Sequence, residues 1–249
     1  MKIEKYVKDK NNKYKVYIDN EVYMLYDDII AKYQLLFKND IEKEELDNII
    51  KDNIELSSYY QAIKYITKKL RSEKEIDDYL NKYGVSKDIR IKTINKLKEN
   101  KFINDEIFLK AYINDQINLT NNGPLKIEKS LLKLGISKDD ISNALDSIDE
   151  SIWLDKITNY INKKSKLNKS DSELKLKMKL KMDLINLGYH KSLIESKLIS
   201  FHIDDTDIKK KEYDKIKKKL SLKYEGYELE QKIKEKMYRK GFKVSSYEE

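Results

Sequence analysis

The chain has 249 residues, 39% of them hydrophobic and 39% charged, with six Gly, one Pro and no Cys. That length can bury a sizeable core, but so few turn formers exclude a sandwich or barrel, and abundant Lys, Leu and Glu favour helix. The net charge of +8, carried by lysine except at Arg71, Arg90 and Arg239, fits attraction to a polyanion such as nucleic acid and equally fits a lysine-biased coding sequence.

Without cysteine there is neither a disulfide framework nor a thiolate metal site. No apolar leader follows Met1, and no run approaches the ~18 apolar residues of a membrane span. We expect a cytoplasmic protein with no membrane partner.

Residues 2–7, 14–18 and 21–26 are short runs of Val, Ile and Tyr separated by turn signals at 9–13 and at Asp19-Asn20. They predict a small antiparallel β meander with Asp19-Asn20 as a two-residue hairpin turn. A lone meander is marginal in water and must pack on something. Residues 27–53 then read as helix, with Ile29, Ile30, Tyr33 and Leu36, and later Leu46, Ile49 and Ile50, at helical spacing. Residues 1–55 form the N-terminal segment.

A first three-helix repeat is expected over 56–103. Its first helix carries Leu56, Tyr60, Ile63 and Leu70 on one stripe. Ser72 and Glu75 fit a capping box for the second, Gly84 stops that helix, and Ser86 can cap the third. Phe102 and Ile103 return the chain to the core. A second repeat over 104–150 begins with a helix bearing Phe108, Ala111, Tyr112 and Leu119. Gly123-Pro124 breaks it, Pro124 suits the next first turn, and Ser137 with Asp140 again resembles a capping box.

The third repeat, 151–205, contains Leu174, Leu176, Met178, Leu180 and Met182 alternating with lysines. Alternation alone says strand. No β-branched residue occurs between Leu174 and Leu184, and Leu, Met and Lys favour helix, so we read helix from Ser172 to Gly188. A truncated fourth repeat occupies 206–249, leaving only residues from Phe242 on for its third helix. Gly84, Gly135, Gly188 and Gly241 lie 51, 53 and 53 residues apart, an even spacing that marks a repeat architecture. The fold class is therefore mostly α: tandem three-helix repeats in an elongated curved array, preceded by the meander.

These segments resemble the RecX family, bacterial regulators of the recombinase RecA. The likeness is carried by residues 69–80, by Phe102 to Asp105 with Phe108 and Tyr112, by Gly123-Pro124 through Gly135-Ile136 to Ala144-Leu145, and by 223–242. It covers nearly the whole chain and fits the long, Gram-positive form. The family pattern has Arg where Lys69 stands, which keeps the charge but loses the planar fork. Residues 153–203 depart most.

The resemblance implies insertion into the groove of the RecA–single-stranded DNA filament, lowering ATPase and strand exchange in the regulation of DNA repair. Stacked repeats suit this, since each can meet a successive protomer.

No phosphate-cradling glycine motif occurs, and His190 and His202 have no metal-site spacing. With no Cys nucleophile and no His beside a Gly-flanked Ser, nucleophilic catalysis has no candidate. We expect no enzyme activity, no cofactor and no metal site.

Eight lysines crowd residues 163–181 against Asp171 and Glu173, and eight more crowd 209–223 against Glu212 and Asp214. The candidate partner- or DNA-binding residues are Lys68, Lys69, Arg71, Lys163, Lys164, Lys166, Lys175, Lys177, Lys209, Lys210, Lys217 and Lys218. The expected partners are the RecA filament and single-stranded DNA, with double-stranded DNA a further candidate. The alternative is a general helical-repeat nucleic-acid-binding protein acting through its basic faces. Most of the 19 Tyr fall on core stripes or in the meander, which assigns them to the core rather than to base stacking. No long heptad seam asks for a dimer, so we expect a monomer.

Overall fold

The structure, a computed structural model, describes residues 1–10 and 12–242. It opens with three antiparallel strands in the order β1 (Ile3–Lys8), β2 (Lys13–Ile18) and β3 (Glu21–Tyr26). Asp19 and Asn20 form the hairpin turn, with φ of +46° and +68°, the left-handed pair that a two-residue turn between twisted strands requires. Val16, Ile18 and Leu25 point inward and join Ile29, Ile30, Leu35, Leu46 and Ile49 in one core.

The helix expected over 27–53 is broken. Helix α1 (Asp27–Lys32) is followed by a single 3-10 turn (Leu35–Phe37), and α2 (Lys43–Ile66) begins later. Between them the backbone pairs with the start of the chain. Ile3 N–H donates to Asn39 O at 2.9 Å, Ile41 N–H donates to Met1 O at 2.8 Å, and the Met1 ammonium donates to Ile41 O at 2.8 Å. The groups beside β1 need partners, and that requirement overrides helical propensity at 38–41. Helix α2 passes without interruption through residue 56, so the N-terminal segment and the first repeat share a helix.

The remaining helices are α3 (Glu73–Lys82), α4 (Lys87–Glu99), α5 (Asp105–Leu119), α6 (Pro124–Lys133), α7 (Lys138–Asp146), α8 (Glu150–Lys166), α9 (Glu173–Asn186), α10 (Lys191–Ile199), α11 (Thr206–Leu220) and α12 (Gly226–Arg239). Helices α2, α3 and α4 pack together around Ala62, Ile76, Leu80, Leu97 and Ile103. Helices α8, α9 and α10 form a second such triplet, and α11 and α12 close on Ile216, Leu220, Ile233, Met237 and Phe242. The third helix expected after Phe242 lies outside the described residues. Two compact units result, Met1–Phe108 with Leu134–Ile136, and Leu109–Lys133 with the chain from Ser137 on.

Caps set several helix starts. Ser72 and Glu75 form the full capping box, whereas Ser137 accepts from Asp140 N–H without a reciprocal bond. Ser86 occupies the N-cap of α4, but its side chain makes no capping bond. The alternating stretch is helical. Ser172 accepts from Lys175 N–H, and α9 buries Leu176, Leu180 and Leu184.

Successive repeats are fastened by one recurrent junction, in which the glycine turn of a later repeat meets the second helix of the preceding one. Gly135 lies against Lys74 at the start of α3, Gly188 against Lys126 at the start of α6, and Gly241 against Ser172 and Lys175 at the start of α9. Gly84 has no earlier repeat before it and meets nothing. Around α6, Gly123 N–H donates to Leu187 O at 2.7 Å and Leu125 N–H to Gly188 O at 3.0 Å. The unpaired donors of one helix start thus satisfy the unpaired carbonyls of another helix end. At the start of α9, the Ser172 hydroxyl donates to Lys240 O at 3.1 Å. Tyr189, the residue after Gly188, donates to Asn121 O at 3.1 Å, and burial pushes its hydroxyl pKa up to about 12.

A carboxylate from the next repeat adds a second tie. Asp105 accepts from Glu73 N–H at 2.9 Å and Asp205 accepts from Glu173 N–H at 2.8 Å, with the same separation of 32 residues.

Candidate nucleic-acid and partner interface

The sequence-predicted residues fall into three groups. In the first, Arg71 is committed to the fold. Its side chain is 15% exposed, its Nη1 donates to Glu75 Oε1 at 2.7 Å, and its guanidinium carbon lies 4.0 Å from the Tyr65 ring centroid. Tyr65 in turn stacks on Tyr79, with centroids 4.0 Å apart. A stacked, ion-paired guanidinium contributes about 1–2 kcal/mol locally. Lys69 shares the same Glu75 carboxylate at 3.6 Å, while Lys68 is exposed with no ionic partner among the described residues.

The second group sits on α8 and α9. Lys163, Lys164 and Lys166 occupy the last turn of α8, where positive charge complements the helix dipole. Lys164 approaches Asp183 at 4.0 Å, Lys175 approaches Asp171 at 3.6 Å, and Lys177 pairs with Glu173 at 2.7 Å. Much of the apparent basic cluster is therefore neutralised internally. Hydrogen bonding to Lys177 holds the Glu173 carboxyl below the ordinary glutamate value, helped by the Ile203 N–H and by His202.

The third group lies on α11. Lys210, Lys217 and Lys218 are exposed, with Lys217 Nζ 5.9 Å from the Tyr213 ring centroid, and Lys209 is partly buried. The carboxylate of this helix, Glu212, is buried and binds Lys240, tying α11 to α12.

One surface was not anticipated. With a helical period, every second residue of the alternating stretch divides into two stripes. Leu176, Leu180 and Leu184 face the core, and Leu174, Met178 and Met182 are left exposed. Leu174 and Met178, with Lys177, Lys181, Glu195, Leu198 and Ile199, line an open groove of about 360 Å³. The signal was in the sequence, but nothing there says which stripe the neighbouring helices cover. Among the described residues no helix is long and apolar enough to cross a membrane.

No family model matches the chain. Regulatory protein RecX of Bacillus cereus (strain G9842) is 30% identical over 229 residues, spanning 88% of this chain and 83% of that protein. This chain belongs to the RecX family. The RecX proteins of Bacillus cytotoxicus and Bacillus mycoides are each 29% identical, covering 88% and 87% of the chain. Among solved structures, a crystal structure of regulatory protein RecX matches with a TM-score of 0.63, covering 78% of this chain and 97% of that one, at 20% identity. RecX from Lactobacillus salivarius matches with a TM-score of 0.55 at 26% identity, covering 59% of this chain and 96% of that one. The RecX fold therefore extends over most of the chain, and the relatives of matching length are regulatory proteins.

Proposed function

We propose that this protein regulates the recombinase RecA without catalysing a reaction itself. In this reading it binds along the groove of the RecA–single-stranded DNA filament and lowers ATPase and strand exchange. Membership of a family of regulatory proteins supports the regulatory part, and the family resemblance supplies the recombinase as partner. The observation that carries the mechanism is the recurrent junction at Gly135, Gly188 and Gly241. Repeats fastened in one way offer a repeating series of contacts to a filament of repeating protomers. Several weak contacts on one chain then act at high effective concentration.

Lys68, Lys163, Lys166, Lys210, Lys217 and Lys218 have no carboxylate partner among the described residues, and we assign them to the DNA within the filament. Arg71 serves the fold instead. The test is ATP hydrolysis by the cognate RecA on single-stranded DNA. Purified protein at substoichiometric ratios should slow it, and an unchanged rate at equimolar protein overturns the proposal. Converting those six lysines to Gln should weaken the inhibition; abolishing it would favour the plain nucleic-acid-binding alternative.

A further inference from the structure

We propose that the solvent face of the β1–β3 sheet is a platform for single-stranded nucleic acid, with Tyr17 as a stacking ring and Lys5, Lys13 and Lys15 as phosphate contacts. This goes beyond the regulatory reading and needs no recombinase.

The pairing register places the residues. Lys5 is opposite Tyr17 and Tyr17 opposite Val22, while Val7 is opposite Lys15 and Lys15 opposite Met24. Successive residues of a strand alternate faces. The face bearing Val16, Ile18 and Leu25 is the buried one, so those two rows of three lie together on the other. Val22 and Met24 are 54% and 38% exposed there, although the free face of an antiparallel sheet is ordinarily polar.

The aromatic residue at the centre has no internal task. Tyr6, Tyr14 and Tyr23 pack against the core, Tyr6 donates its hydroxyl to Leu35 O at 2.7 Å, and Tyr23 hydrogen-bonds to Glu21. Tyr17 is half-buried and is not among the core tyrosines, which corrects the expectation that the meander tyrosines are core. The Lys5 ammonium lies 5.9 Å from its ring centroid.

Charge selects the occupant. Lys5, Lys13 and Lys15 have no carboxylate partner among the described residues, in contrast to Lys175 and Lys177; Lys13, opposite Tyr26, borders the two rows with its ammonium 4.5 Å from the Tyr26 ring centroid. Neither row contains a carboxylate. An apolar floor with a central ring and cations that no carboxylate neutralises suits bases that stack and phosphates that seek positive charge. An acidic peptide would use the cations and leave the ring idle, so nucleic acid is the better fit.

The test measures binding of the full chain to a labelled single-stranded 20-mer and to the corresponding duplex, between 50 and 200 mM salt. We expect preference for the single strand. Tyr17→Ala should weaken binding by about 5- to 100-fold while Tyr17→Phe preserves it, from the usual worth of one base–aromatic stack. Replacing all three lysines by Gln should lower the slope of log affinity against log salt by about 2, from ~0.7 per phosphate on single strands. Wild-type affinity in both variants overturns the proposal, as does absence of binding at 50 mM salt. Equal competition by polyglutamate together with a silent Tyr17→Ala would assign the face to an acidic protein and also overturn it. Should Tyr17→Ala unfold the sheet, photo-crosslinking of wild type to a 4-thiothymidine 20-mer decides: adducts within residues 13–24 support the platform, and adducts confined to α8–α11 refute it. Because RecA is absent, failure here leaves the proposed regulation untouched.

Discussion

Gly84 and Gly188 end their helices with nearly the same backbone, φ +77° and +87°, yet their surroundings are opposite. A Cβ on Gly84 would meet nothing, whereas one on Gly188 would lie 2.5 Å from the backbone nitrogen of Lys126. Glycine is therefore demanded by conformation alone at the first position, and by conformation and close approach at the second. Stopping a helix is a local requirement and joining repeats is a separate one, although the same residue type marks both.

Alanine at each position separates the two requirements. Gly188→Ala should cost roughly 2–5 kcal/mol, combining a left-handed Cβ with overpacking against backbone. Urea unfolding followed by the single Trp, Trp153, reports this, since it is buried in the same compact unit. Gly84→Ala should cost only about 1–2 kcal/mol, for conformation alone, read by circular dichroism. Equal losses would mean that the close approach carries no energy.

The two aspartate ties sharpen the comparison at lower energy. Asp205→Ala should destabilise by about 0.5–2 kcal/mol, the usual value of a helix-start cap, and speed amide exchange at Glu173. Asp105→Ala should cost less, because burial already disfavours the Asp105 carboxylate and raises its pKa against the opposing Glu73 N–H. A larger loss at Asp105 would break this ordering.

The smallest effect is with pH. Glu173, hydrogen-bonded to Lys177, has a depressed pKa, so its contribution is present above its ordinary value of 4.5 and lost as pH falls through the lower folded value. Asp105 runs the other way: its raised pKa favours the folded state below the ordinary value of 3.8, and that gain is lost as pH rises through the folded value. Acidification from pH 6 to 3.5 should therefore loosen the α9 start before the α3 start, measured as intrinsic-rate-corrected exchange at Ile203 and Glu73. Simultaneous loosening would contradict the assignment.

Local chemistry was legible in the sequence, and long-range chemistry was not. The glycine helix stops, the Ser72 capping box, the hairpin at Asp19-Asn20 and the helical nature of 173–186 all rest on neighbours within a few residues, and the 51- to 53-residue glycine spacing needs only the sequence itself. The interruption at 34–42 depends on Met1 and Ile3 reaching residues 39–41, and the Asp105 and Asp205 ties span 32 positions, so no short window could find them. For the candidate surface, counting lysines located the charge but not its availability, because Asp171 and Glu173 neutralise several of them. Arg71 fits the family pattern, and only the structure shows that it faces Tyr65 and Glu75. Tyr17 was hidden by its likeness to its neighbours. Its distinction lies in which side of the pleat it occupies.

The space beside Gly84 is one half of a joint. Gly135, Gly188 and Gly241 each meet the second helix of the preceding repeat, whereas Gly84 keeps the same left-handed turn with nothing packed on it. The turn is thus built into every repeat, and the contact is added only where a preceding second helix supplies it.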